Sequence, residues 1–258
     1  MRIAVQILCF KQNRWILKAI ENTYYFADKI FITYSDKPWA YNKLSRGKIK
    51  NNIDIKAISE SKWFDKIELI SGDWQCEEDQ RNDCLVKAKE RGFDIMFIQD
   101  PDEFYHTRDL EKLKNIIAKN SQYSTFYLPW MCFWKSQKFV LEGEGGSIIT
   151  GYPLVAINLN KRVKFSNKRN IKINQIFKRK KIINDITCFH YSFVLNDNEC
   201  LDKISTWGHA NELAQNWFND KWIKWEETTE NLHPVKPNAW KKAIIYRGNL
   251  PEIFKNDY

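Results

Sequence analysis

The stretch Phe93-Asp94-Ile95-Met96-Phe97-Ile98-Gln99-Asp100-Pro101-Asp102-Glu103-Phe104-Tyr105 constrains the fold more than any other. Its apolar run, Ile95 to Ile98, is too short for a buried helix and has the length of a central strand. Pro101 ends that strand, because proline gives the ladder no N–H and restricts the residue before it. Asp100, Asp102 and Glu103 therefore sit just past the end of a buried strand. In an open α/β sheet, ligands bind at that end. Carboxylates packed this closely repel one another. A hard divalent ion such as Mg²⁺ or Mn²⁺ would relieve the repulsion through carboxylate oxygens. The competing reading is a turn that caps the following helix, with its acids in solvent.

The rest of the chain reads as strands alternating with helices. Strands are expected over Ile3 to Phe10, Lys29 to Tyr34 and Lys66 to Ile70, before the central strand. Helices are expected from about Arg14 to Phe26, within Asn42 to Ser61, from about Glu77 to Arg91 and from about Asp109 to Ala118. That order argues for a doubly wound, Rossmann-like and mostly parallel sheet flanked by helices. The pattern then changes. Tyr123 to Trp134, Ile148 to Leu159 and Ile182 to Val194 read as a smaller antiparallel part. Lys161 to Lys181 carries ten basic residues and no acid, and from Asn198 a helical tail rich in tryptophan follows. No linker is visible, so the two halves are expected to share one sheet.

Several function classes lose their signatures. There is no Gly-x-Gly-x-x-Gly among only 9 glycines, which removes the usual dinucleotide dehydrogenase. The six cysteines show no CxxC spacing and lie mostly in apolar runs, as reduced core residues in a reducing compartment. The apolar N-terminus contains Gln6, lacks a small-residue cleavage site and reads as a first strand rather than a leader. These features predict a cytoplasmic protein. The net charge of +9 favours an anionic partner.

Three pieces of the sequence resemble the GT-A glycosyltransferases, especially family-2-like members. They are the opening Ala4 to Asn13, the pairing of Gln80-Arg81-Asn82-Asp83 with Asp94 to Glu103, and Phe189-His190-Tyr191-Ser192 with Lys203, Trp207 and His209. The resemblance covers roughly residues 1 to 215 and implies a transferase domain there, with 216–258 as a C-terminal helical extension packed on it. It implies a metal-dependent enzyme that moves a hexose-type sugar from a nucleoside-diphosphate donor to an acceptor hydroxyl, by default with inversion. Mn²⁺ or Mg²⁺ would be held by Asp100, Asp102 and His190, with Asp100 also toward the donor ribose. The donor would further meet Asn13, Asp36, Arg81 and Asn82. Many members carry an Asn-Glu pair after the first strand, where this chain has Gln12-Asn13.

Inversion needs a carboxylate base within reach of the acceptor. Glu142, Glu144 and Asp185 lie in the right part of the chain, Glu144 in a glycine-rich loop. The acceptor, a glycan, a lipid-linked group or a protein, is not encoded in any motif. Lys161 to Lys181 could hold the leaving diphosphate, dock an anionic acceptor or make a peripheral membrane contact; a solvated face is the plain alternative. Two other functions compete. A sugar nucleotidyltransferase would want a glycine-rich basic loop after the first strand, which Lys11-Gln12-Asn13-Arg14 lacks. A nucleic-acid-binding module would want a recognised motif, and none is present, so no specific nucleic acid is expected.

Overall fold

The computed structural model describes residues 1–11, 13–40, 48–173, 179–207 and 209–255. They fall into two compact units. The first comprises Met1–Leu128, Pro153–Ile186 and Leu250–Tyr258, and the second Pro129–Tyr152 and Thr187–Asn249. In chain order the first unit opens with β1 (Ile3–Cys9), α1 (Asn13–Thr23), β2 (Lys29–Tyr34), α2 (Ile55–Ser59) and β3 (Ile67–Ser71). It continues through α3 (Glu77–Glu90), β4 (Ile95–Gln99), β5 (Glu103–Phe104), α4 (Thr107–Lys119) and β6 (Thr125–Tyr127). The second unit supplies β7 (Trp130–Trp134) and β8 (Ser136–Glu142). The chain then returns through β9 (Leu154–Asn158), β10 (Val163–Asn167), β11 (Asn170–Ile173) and β12 (Lys180–Ile182). Finally β13 (Cys188–Phe193), α5 (Asp197–Thr206) and β14 (Lys242–Ile245) belong to the second unit.

The first unit is built on a seven-stranded sheet in the order β12-β6-β9-β4-β1-β2-β3. β1 pairs parallel with both β2 and β4, and β2 pairs parallel with β3. β9 runs antiparallel to β4 and β6, and β12 lies parallel to β6. The expected mostly parallel, Rossmann-like sheet is thus present, and strands from both halves of the chain build it. β1 and β4 are almost wholly buried. That is the burial of parallel strands covered on both faces. Chain order reverses between β1 and β4: β2 and β3 lie to one side of β1, and β4 lies to the other. The crevice beyond the carboxyl ends of β1 and β4 is therefore the switch point of the sheet.

α3 buries a stripe of Gln80, Arg81, Cys84, Leu85 and Ala88. The spacing is that of one helix face, but two of its members are polar. The apolar part joins Ala4, Phe31, Met96 and Ile98 in the core.

The basic stretch hides a β-hairpin that its charge density obscured. In β10, buried Val163 and Phe165 alternate with exposed Lys164 and Ser166. β11 pairs antiparallel with it, across a turn in which Lys168 has φ 50°. Strand periodicity survives in the apolar positions while lysines occupy the outward ones. β9 begins only after Pro153, later than the expected start at Ile148. Within Asn42 to Ser61 the helix is α2, capped by Asp54, which accepts a hydrogen bond from the Ala57 N–H at 2.9 Å. Residues 41–47 of that stretch lie outside the described residues.

In the second unit β14, β8, β7 and β13 lie side by side in that order. β14–β8 and β8–β7 are antiparallel, and β7–β13 is parallel. Its core is aromatic, with Trp134, Phe193, Trp217, Trp222 and Trp240 buried together. The tryptophan-rich tail contributes short helical turns at Phe218–Ile223 and Pro237–Ala239, and then strand β14. Cys9, Cys84, Cys132, Cys188 and Cys200 are buried. Among the described residues no helix is long and apolar enough to cross a membrane.

The last described residues close back onto the first unit. Phe254 packs edge-on against Trp15 and Phe104. Glu252 accepts the Thr107 N–H at 2.9 Å and lies 3.2 Å from His106 Nδ1. It thereby satisfies one of the orphan donors at the start of α4 and places negative charge there. Burial pushes the Glu252 pKa up, but the Thr107 N–H and the other hydrogen bonds outweigh it, and the carboxyl titrates below its ordinary 4.5. A depressed carboxylate contributes stability above its unfolded pKa and loses it as pH falls through the folded value. Glu252→Ala is expected to cost about 1 kcal/mol in urea unfolding at pH 7, and the gap from wild type should close as pH drops below 4.5.

Candidate functional site

At the switch point the sequence buries polar side chains where the neighbouring strand positions are apolar. Gln6 in β1 is fully buried. Its Nε2 donates to the Arg81 carbonyl at 3.2 Å, and Arg81 Nη1 donates back to its Oε1 at 3.4 Å. Gln99, last in β4, accepts the Thr23 hydroxyl at 2.9 Å and donates to the Glu103 carbonyl at 2.9 Å. The acidic turn then closes on itself. The Glu103 N–H donates to the Asp100 carbonyl at 3.0 Å, and the Asp100 N–H donates to Glu103 Oε2 at 3.1 Å.

Two arginines enter this turn, one from before it in the sequence and one from after it. Arg81, from α3, is 2% exposed. Its Nε donates to Glu77 Oε1 and its Nη2 to Asp100 Oδ1, each at 2.8 Å. Arg169 comes from the turn between β10 and β11. Its Nη1 donates to Asp100 Oδ2 at 3.3 Å and also to Glu103 Oε1. Its Nη2 donates to Glu103 Oε2 at 3.0 Å and to the Ile98 carbonyl at 3.1 Å. Its Nε donates to the Leu154 carbonyl at 2.6 Å. Glu103 is completely buried, so this bidentate pair is desolvated.

Burial would raise the Asp100 pKa, but Arg81 and Arg169 reverse that and hold the carboxyl below its ordinary value. Burial likewise works against the Arg169 charge, and Glu103 and Asp100 overcome it, so its pKa is raised. Asp102 is buried too, and its charge opposes that of Asp100.

The expected metal site can be tested against these contacts. Both carboxylate oxygens of Asp100 and both of Glu103 receive guanidinium hydrogen bonds. His190 lies in β13 of the second unit, stacked on Trp130 with ring centroids 4.1 Å apart and its Nδ1 3.3 Å from Cys132 Sγ. Among the described residues no group of three or more His, Cys, Asp or Glu side chains could hold a metal ion. Around Asp100 and Glu103 the residues present do not fit Mn²⁺ or Mg²⁺, because arginine N–H groups already stand where such an ion would sit.

The expected donor residues divide. Arg81 and Asp100 are brought together directly. Asn82, one position along α3, is turned away to hold β10: its Nδ2 donates to the Phe165 carbonyl at 3.0 Å, and its Oδ1 accepts the Phe165 N–H at 2.9 Å. Asn13 fastens the segment before α2, donating to the Asn52 carbonyl at 2.6 Å and accepting the Asp54 N–H at 2.8 Å. The Asp36 side chain is exposed past β2, and its carbonyl accepts the Asn51 N–H at 2.9 Å. Trp39 donates from Nε1 to Gln80 at 2.8 Å.

Of the three base candidates, Glu142 is half-buried at the end of β8. Glu144 is exposed beside Gly145 and Gly146, whose φ angles of 73° and 79° suit glycine. Asp185 sits on the first unit, paired with Lys112 at 2.8 Å. That hydrogen bond lowers its pKa, which makes it the weaker base.

The residue that sequence reasoning missed is Arg169. It was one basic residue among ten. The usable signal was a Ser-Asn-Lys-Arg-Asn turn between two short alternating runs, the pattern of a hairpin.

No protein-family model and no curated protein matches the sequence. Among solved structures the chain is similar to S. aureus TarS, at 10% identity and TM-score 0.48, over 87% of this chain and 46% of that one. It therefore spans about half the length of that protein. It is similar to TarS 1-349 in complex with UDP, at 11% identity and TM-score 0.46, over 87% of this chain and 77% of that one. It is also similar to A197 from STIV, at 13% identity and TM-score 0.37, over 74% and 86%. At these values the chain's own residues must carry any statement about activity.

Removing one member of a buried ion network leaves its partners charged and unpaired. Arg81→Leu is accordingly expected to cost roughly 3–5 kcal/mol. Urea unfolding at pH 7, followed by circular dichroism, measures it directly.

Proposed function

We propose that this chain is a glycosyltransferase that takes a sugar from a nucleoside-diphosphate donor, with residues 1–215 as the transferase domain and 216–258 as its extension. One observation carries the reading. An acidic turn, Asp100 to Glu103, follows the central strand at the switch point of a mostly parallel sheet, with Asp102 and Glu103 buried and Asp100 and Glu103 held to each other and to arginine. The crevice of such a sheet is where a nucleotide is expected. Acids fixed before a ligand arrives spare the site the cost of ordering them.

In this reading Asp102, together with Asp36 beyond β2, faces the ribose and base, and Asn13 stands at the same edge. The basic stretch Lys161 to Lys181 supplies positive charge toward the diphosphate. The reaction breaks the bond from the anomeric carbon to the diphosphate oxygen and forms one from that carbon to the acceptor oxygen. The acceptor proton passes to a carboxylate. The nucleoside diphosphate leaves, and the single displacement inverts the anomeric centre. No step is routed through Mn²⁺ or Mg²⁺, since arginine N–H groups already hold Asp100 and Glu103.

Calorimetric titration with UDP and with GDP, each in EDTA and in Mn²⁺, tests the proposal. One nucleotide is expected to bind the wild type, and Asp102→Ala should weaken it by about tenfold or more, the loss of a hydrogen bond to a charged group. If neither nucleotide binds under either condition, the turn is a structural ion cluster and the proposal fails.

A further inference from the structure

We propose that Arg169 is a tethered cation that fills the place of a divalent ion in the acidic turn, so that the site is complete without metal. The inference rests on the reading above only in treating the turn as a ligand site. Its basis is the set of atoms gathered around one guanidinium. Five oxygens surround it: the carbonyls of Ile98 and Leu154, Oδ2 of Asp100, and both carboxylate oxygens of Glu103. Two carboxylates and two backbone carbonyls are the ligand types of a hard-cation site. Here each oxygen meets an N–H instead, and together they use the five donors that the arginine fork presents.

Charge points the same way. Asp100 and Glu103 bring two negative charges, and Arg81 and Arg169 bring two positive ones. At Asp100 and Glu103 themselves each carboxylate thus already meets a guanidinium group. The Coulombic reason for binding a metal between Asp100 and Glu103 is weakened before any ion arrives.

The tether is firm. Arg169 sits at the tip of the β10–β11 hairpin, whose Val163 and Phe165 are buried in the main core. The Asn82 amide grips the same hairpin through both the N–H and the carbonyl of Phe165. The Arg169 side chain is only 13% exposed. An ion entering at these five oxygens would have to expel a desolvated, five-fold hydrogen-bonded group that cannot diffuse away. Lysine could not substitute, because its point charge lacks the planar fork.

The test uses Mn²⁺ alone, with no nucleotide, so its outcome is independent of whether UDP or GDP binds. Mn²⁺ titration followed by electron paramagnetic resonance should show no bound ion on the wild type at roughly millimolar metal, the weak end of biological cation sites. The wild-type melting temperature should be the same in EDTA and in Mn²⁺. Arg169→Gln should melt lower in EDTA, bind Mn²⁺ and recover its melting temperature with the ion. Should that variant fail to fold in EDTA, refolding it with and without Mn²⁺ draws the same line: recovery only with the ion supports the proposal. Stoichiometric Mn²⁺ binding to the wild type that is lost in Asp100→Asn overturns it. So does an Arg169→Gln protein that neither binds Mn²⁺ nor responds to it.

Discussion

A carboxylate that leaves water must find its charge answered inside the protein, and the first unit is arranged around that requirement. Glu103 is completely buried and Asp102 nearly so, directly after the central strand. Moving such groups out of water costs several kcal/mol each unless partners restore the lost solvation. For Glu103 the partner is Arg169, delivered by a hairpin, and beside it Arg81, delivered by a helix, answers Asp100. The network then dictates the surrounding polar choices. Gln6 is buried in β1 because it meets the backbone and side chain of Arg81, and Gln99 is buried in β4 because it receives Thr23 and holds the Glu103 carbonyl. An apolar residue at either place would leave donors and acceptors unpaired in the core.

The same requirement ties distant parts of the sequence together. Arg81 is near the acidic turn in sequence, but Arg169 is 66 positions beyond Glu103. Glu103 is therefore neutralised only once β10 and β11 have docked. Asn82 couples the two events, since it projects from α3 beside Arg81 and bonds β10 through Phe165. Helix, acidic turn and hairpin thus form one interdependent assembly, and loss of any one of them exposes a buried charge.

What the sequence disclosed follows the range over which its signals act. The order of strands and helices was legible because each apolar run is local, and the acidic turn was legible because Pro101 and three acids sit within four residues. The neutralisation of that turn was not legible. Ion pairing across 66 residues leaves no periodicity, and a cation supplied by the chain looks, in sequence, like any other arginine in a charged run. Arg81, expected toward the donor, lies against Asp100 of the acidic turn, whereas its neighbour Asn82, given the same role, holds the hairpin. Adjacent helix positions point about 100° apart, so the two could not face the same partner. The expected grouping of Asp100 and Asp102 with His190 met the same obstacle, since no local pattern reports which oxygens are already taken.

The division of labour within the basic stretch follows from strand geometry. Successive residues of a strand face opposite sides, so a run dense in lysine and arginine can serve two environments at once. Arg162, Lys164, Lys172, Arg179 and Lys180 are exposed, where they contribute to the net charge of +9 and to attraction of anions. Val163 and Phe165 alternate with them into the core, and the hairpin tip carries Arg169 inward to the acids. Charge count alone treats these residues as equivalent. Their energetics differ in kind: an exposed lysine is screened by salt within about 8 Å at physiological ionic strength, whereas a guanidinium held among buried carboxylates is not. Salt should therefore modulate the outer face of this hairpin and leave its inner contact almost untouched.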